Sequence, residues 1–171
     1  MSDEKNNSVK LVDIKQKKVV SQIRLSTGPW DITKVQSDQL AVTLPSSEKI
    51  QFLSVTGTSL SLGREMQVSG ECRGIASNQN DRLFVSFTDP VQVQILNMSG
   101  SVLKTISNQS VGEELFGRPY HLTLSVDNSL LYVTDSGTST VCCLEMSGKV
   151  KGKYKYTGDL GGVTVAEDGS V

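Results

Sequence analysis

Residues 131–148 read LYVTDSGTSTVCCLEMSG: a strand-like stretch Leu131–Asp135, a Ser136-Gly137 break, a second strand from Val141 to Met146, and a Ser147-Gly148 turn. β-branched and aromatic residues in alternation suit half-buried strands. The same arrangement stands twice upstream. Leu40–Leu44 and Leu83–Phe87 match the first strand, with Val42, Val85 and Val133 as equivalents. Ile50–Val55 and Val93–Met98 match the second and run into Thr56-Gly57 and Ser99-Gly100. Glycine in each turn can supply the positive φ that a tight antiparallel connection demands. A further copy of the second strand stands at Val9–Ile14, so the four starts lie 41, 43 and 48 residues apart.

Working outward, a glycine-led element precedes each unit: Gly28–Thr33, Gly70–Ala76, Gly117–Thr123 and a shortened Gly161–Val165, with Ile32, Ile75, Leu122 and Val163 in one place. A fourth strand follows each turn, at Leu60–Val68, Val102–Ile106 and Val150–Tyr156, and Val19–Leu25 serves the first copy. Four strands in about 43 residues is the size of a β-propeller blade. Glycines and Ser/Asn/Asp clusters interrupt the chain too often for helix, and the gaps between strands hold no helix of 10–15 residues.

The expected fold is an all-β propeller. Residues 1–8 read as a disordered tail, 9–25 as a half-blade, 28–68, 70–107 and 117–156 as whole blades, and 161–171 as the start of another. Six blades need about 260 residues, more than the 171 present. The reading is therefore an open arc of a six-bladed ring, a fragment, with a closed four-bladed ring as its alternative. Uncovered blade faces at both ends predict self-association.

Taken in series, the Gly117-Arg118-Pro119 lead, the Leu131–Gly137 strand, Val141 and the Ser-Gly turn resemble the NHL repeat. The stretches Cys72–Ala76, Val93–Gly100 and Gly112–Phe116 are similar to the C-terminal propellers of tripartite-motif (TRIM) proteins of the molluscan type, over roughly residues 9–171. The sequence departs from the pattern where Asp31 replaces the glycine found at Gly74 and Gly162, and where Leu44 and Phe87 replace Asp135. WD40 blades share the period, but the pair Trp30-Asp31 does not recur and opens a blade. The resemblance implies a protein-interaction propeller whose intact relatives act as E3 ubiquitin ligases, or an RNA-binding propeller. RING and B-box zinc spacings are absent, so this chain is expected to be no enzyme.

Charge is balanced, 17 Lys+Arg against 18 Asp+Glu, with a pI near 5.8, so no whole-chain field draws it to nucleic acid or lipid. Apolar runs fall far short of the roughly 20 residues that span a bilayer, and MSDEKNNS has no apolar signal core. Three cysteines without C-x-x-C spacing suit a reducing compartment, so the expectation is a cytoplasmic chain without membrane contact. The Asn-x-Ser sequons at Asn6, Asn97 and Asn108 read as chance matches.

Candidate chemistry is sparse. His121 is the single histidine, so no zinc set, other metal site or cofactor is expected. No Gly-x-Ser-x-Gly elbow is present. Adjacent strand residues point to opposite faces, so Cys143 is expected in the core and Cys142 nearer solvent. Lys15, Lys17 and Lys18 form a solvated hairpin tip. The mouth of the inner strands gathers Trp30, Cys72, Arg73, Arg118, Tyr120 and His121. Aromatics beside arginines are the chemistry of protein hot spots and of single-stranded RNA stacking; the plainer reading packs Trp30 and Tyr120 between blades. A calcium-dependent propeller enzyme is the third reading, and it needs converging carboxylates where the register offers only Asp31.

Overall fold

The computed structural model describes residues 1–79, 81–108, 114–158 and 161–171. Gly112 and Glu113, part of one stretch matched to the NHL family, lie outside the described residues.

The described strands form four antiparallel meanders. Sheet I holds β1 (Ser2–Asp3), β2 (Ser8–Asp13) and β3 (Lys18–Arg24). Sheet II runs through β4 (Ile32–Gln36), β5 (Gln39–Leu44), β6 (Lys49–Thr56) and β7 (Ser59–Gln67). Sheet III comprises β8 (Cys72–Ser77), β9 (Arg82–Thr88), β10 (Val91–Asn97) and β11 (Val102–Ser107). Sheet IV comprises β12 (Pro119–Leu124), β13 (Leu130–Asp135), β14 (Thr140–Glu145) and β15 (Val150–Lys155). The chain is a β-propeller of four blades. Its turn glycines Gly57, Gly100 and Gly148 take φ of 60°, 93° and 85°, where a side chain would be strained.

Register explains the packing. The pairs Ala41↔Phe52 and Ile50↔Met66 of sheet II recur as Phe84↔Ile95 and Val93↔Ile106 of sheet III. Each quartet faces the next sheet: the first meets Leu83, Val85, Phe87 and Leu96, the second meets Leu131, Val133, Cys142 and Leu144. Sheet I contributes Val9 and Leu25 against Val42, Leu44 and Leu53. Phe52, Phe84 and Phe87 are fully buried, and each such ring stabilises the stack by about 1.5–3 kcal/mol. A buried amide costs stability unless it is satisfied. Gln51 meets that demand by donating Nε2 to the carbonyls of Phe52, Gly63 and Arg64 at 2.8, 3.0 and 3.2 Å.

Three expectations are corrected. Residues 1–8 are no disordered tail: Ser2 and Asp3 pair with Val9 and Ser8, Asn6 closes the turn onto the Asp3 carboxylate, and Asn7 takes φ of 47°, which asparagine tolerates. There are accordingly four blades in place of three with a half-blade at each end. Residues 161–166 carry no strand; a Cβ at Gly161 or Gly162 would meet nothing within 4 Å, so neither glycine is seated against a neighbour. Cys142 is as buried as Cys143, at 0% and 5% exposure. Stacking against sheet III covers the Cys142 side of β14, and the Cys142 thiol reaches the Leu115 carbonyl at 3.6 Å.

Candidate functional site

β4, β8 and β12 open their blades and line one cavity of about 400 Å3, with Trp30, Asp31, Thr33, Ile75, His121 and Thr123 on its wall. Asp31, Gly74 and His121 hold one register place, each just before Ile32, Ile75 or Leu122. The Asp31 carboxylate ties two blades there and faces a third. Oδ1 accepts from the Ile32 N–H at 2.8 Å, Oδ2 accepts from the Ile75 N–H of the next sheet at 3.0 Å, and His121 Nδ1 stands 3.8 Å from Oδ2. Gly74 makes the approach feasible: a Cβ there would fall 2.7 Å from His121 Cα and 2.8 Å from the Tyr120 carbonyl oxygen.

Above this layer the rings and guanidiniums meet. Trp30 lies 5.3 Å from Tyr120 and 5.9 Å from His121, nearly parallel to the latter. The Arg73 guanidinium caps the Trp30 ring at 4.4 Å and stands 5.7 Å from Tyr120. Arg73 is also held by Glu71 at 2.5 Å, and the other Glu71 oxygen accepts from the Thr88 hydroxyl. Arg118 approaches Tyr120 at 5.4 Å, is exposed, and joins no salt bridge among the described residues. Its backbone is fixed by Asp135, whose buried carboxylate accepts from the N–H groups of Gly117 and Arg118 at 2.9 and 2.8 Å and, through Oδ1, from Thr138. Two buried donors in the cluster, Trp30 Nε1 and Arg73 Nε, find no acceptor among the described residues, at a cost of about 1–3 kcal/mol each.

Of the residues expected at the mouth, Trp30, Arg73, Tyr120 and His121 come together and Arg118 stands at their edge. Cys72 does not join them. It is fully buried in the seam between sheets II and III, its thiol donates to the Lys49 carbonyl at 3.4 Å, and burial pushes its pKa up from 9.0 to about 11. The folded thiol therefore keeps its proton through a window in which the unfolded one loses it, and stability falls as pH rises from about 9 to about 11. The expected loss is on the order of 2 kcal/mol. Unfolding free energies of wild type and Cys72→Ala across that window should converge as pH rises; a constant gap contradicts the assignment.

The sequence singled out neither Glu71 nor a bridging role for Asp31, which stood there as a departure from the glycine of Gly74 and Gly162 and as the one inner-strand carboxylate. The available signal was the shared register place, where Asp31 and His121 stand in for glycine. Among the described residues no three His, Cys, Asp or Glu side chains converge as metal ligands. No helix among them is long and apolar enough to cross a membrane.

No known protein family matches the chain, and no curated protein matches it in sequence. Solved structures match it in fold. Kuenenia stuttgartiensis hydrazine synthase superposes over 97% of this chain and 48% of its own at 17% identity, with a TM-score of 0.74. The WD40 β-propeller domain of Doa1 covers 95% and 52% at 14% identity, TM-score 0.73. A virginiamycin B lyase of Staphylococcus aureus covers 90% and 50% at 15% identity, TM-score 0.65. The chain thus spans about half the length of these proteins. Two of them are enzymes by name and one is a WD40 domain, so the likeness is one of fold.

Proposed function

We propose that this chain is a protein-recognition propeller of the NHL type, akin to the C-terminal propellers of TRIM proteins, and that it receives an acidic partner segment at the mouth built by Trp30, Arg73, Tyr120 and Arg118. One observation carries the reading: three blades are spent on assembling an arginine–aromatic cluster in which, among the described residues, two buried donors lack acceptors and an exposed guanidinium joins no salt bridge. Hot spots favour these residue types, and propellers with WD40-like shape commonly serve as interaction scaffolds. Ubiquitin transfer would belong to RING and B-box domains, whose Cys/His spacings this sequence does not contain.

The test is a screen of acidic, neutral and basic peptides followed by calorimetric titration of the tightest binder against wild type and Arg118→Ala. Loss of Arg118 should weaken an acidic peptide about tenfold, about 1.4 kcal/mol, without changing the melting temperature. Arg73→Ala is the poorer probe because it also removes the Trp30 stack and strands Glu71. Equal affinity of the variant and wild type would move the site elsewhere. Preferential binding of single-stranded RNA, with a logarithmic salt slope of about 0.7 per phosphate that flattens in Arg118→Ala, would replace the protein-binding reading.

A further inference from the structure

His121 is the single histidine of the chain and Trp30 its single tryptophan, and the fold stacks one on the other, 5.9 Å apart and 24° from parallel. The imidazole is held in place. Its backbone N–H donates to the hydroxyl of buried Thr134 at 3.2 Å, and the Gly74 backbone closes on the His121 Cα with no room for a Cβ between them. Asp31 Oδ2 faces Nδ1 at 3.8 Å. That carboxylate is pinned by the N–H groups of Ile32 and Ile75, so it does not swing away when the charge beside it changes. Both side chains are about a quarter exposed, 25% and 24%, open enough for a proton to exchange with solvent. Among the described residues, the other ionisable groups around the ring are already engaged or stand at its edge. β8 brings Arg73, tied to Glu71. Arg118 and Tyr120 approach each other at the start of β12, and Asp135 of β13 accepts from the N–H groups of Gly117 and Arg118.

We infer, taking the mouth as the seat of the acidic segment proposed for it, that His121 is its proton-sensing residue: gain of a proton on the ring strengthens the hold on that segment. Histidine is the side chain that changes charge between about pH 5 and pH 8. Beside a neutral ring, the Asp31 charge opposes an incoming carboxylate. An imidazolium 3.8 Å away offsets that charge, and partial burial makes the offset count for more than it would in water. The same proton sets a cation against the indole, as the Arg73 guanidinium already does at 4.4 Å. A cationic ring stacked on indole draws on its π density, so Trp30 emission reads the charge of His121 whether or not a partner is bound.

Two titrations from about pH 8 to about pH 5.5 test it, a span in which the carboxylates of a peptide stay ionised. Trp30 emission of the free wild type should fall along a one-proton curve, and the fall should vanish in His121→Gln and His121→Asn, of which either that keeps the wild-type circular dichroism serves. The Met1 α-amino group, lowered from 8.0 by burial, can titrate in the same span; both variants retain it, so a response of that origin would persist in them. Calorimetry with the tightest acidic peptide of the screen should show wild-type affinity rising at least about fivefold toward low pH and staying level in the His121 variants. Flat wild-type emission, an emission change that persists without His121, or a peptide affinity independent of pH would each overturn the proposal. Arg118→Ala tells this failure from that of the mouth itself: peptide affinity undiminished in that variant moves the binding site elsewhere, whereas the emission curve of His121 should survive the loss of Arg118.

Discussion

Replacing Asp135 by alanine is expected to destabilise the chain by about 3–5 kcal/mol and to weaken mouth binding together with it. The carboxylate is fully buried and serves the N–H groups of Gly117, Arg118 and Thr138 and the Thr138 hydroxyl, at 2.7–2.9 Å. Hydrogen bonds to charged groups contribute about 1.5–3 kcal/mol each, and truncation strands several donors at once. The loss is a large fraction of a stability of about 5–15 kcal/mol and lowers the melting temperature by roughly 10 °C or more at this chain length. Asparagine keeps one carbonyl acceptor, so Asp135→Asn should fall between alanine and wild type. Thermal melts of the three proteins decide the stability claim; a melting temperature unchanged in the alanine variant would show that the carboxylate is dispensable. Calorimetry decides the coupling to the site, because the same carboxylate sets where the Arg118 backbone lies.

The second large effect belongs to Gly74. Alanine there puts a Cβ 2.7 Å from the backbone of His121 and 2.8 Å from the Tyr120 carbonyl, and backbone atoms of a packed seam cannot yield as a flexible side chain does. Overpacking of this kind costs about 1–3 kcal/mol, felt as a melting temperature lower by several degrees. Gly162 supplies the control. It holds the same register place in the repeat, yet a Cβ there meets nothing within 4 Å, so Gly162→Ala should stay within about 0.5 kcal/mol of wild type. Equal melting temperatures for the two variants would show that sheets III and IV approach less closely than described.

The strands were legible because a period of two residues and positive-φ turn glycines are local properties. β5, β9 and β13 begin one residue before Leu40, Leu83 and Leu131. What escaped was whatever depends on a second sheet. Cys142 reads as a solvent-facing alternate until stacking covers that face too. Ser2 and Asp3 are polar and form only two residues of strand, so nothing local marks them as one; only pairing with Val9 and Ser8 makes them a strand. Gly161–Val165 carries the motif of an opening strand without a partner to complete it. The aromatic and arginine residues of the mouth could be grouped by register, whereas Asp31 bridging to Ile75 and toward His121 requires knowing how closely the inner strands converge.

Trp30 is the single tryptophan of the chain, and it sits where residues from sheets II, III and IV meet, under one guanidinium and beside one imidazole. Its emission is therefore a signal from one address. Far-ultraviolet dichroism averages over every strand, but indole fluorescence reports when these three blades part company. A coincidence of the two unfolding curves would mean that the stack opens as a unit, and an earlier fluorescence change would mean that the seam at the mouth gives way first.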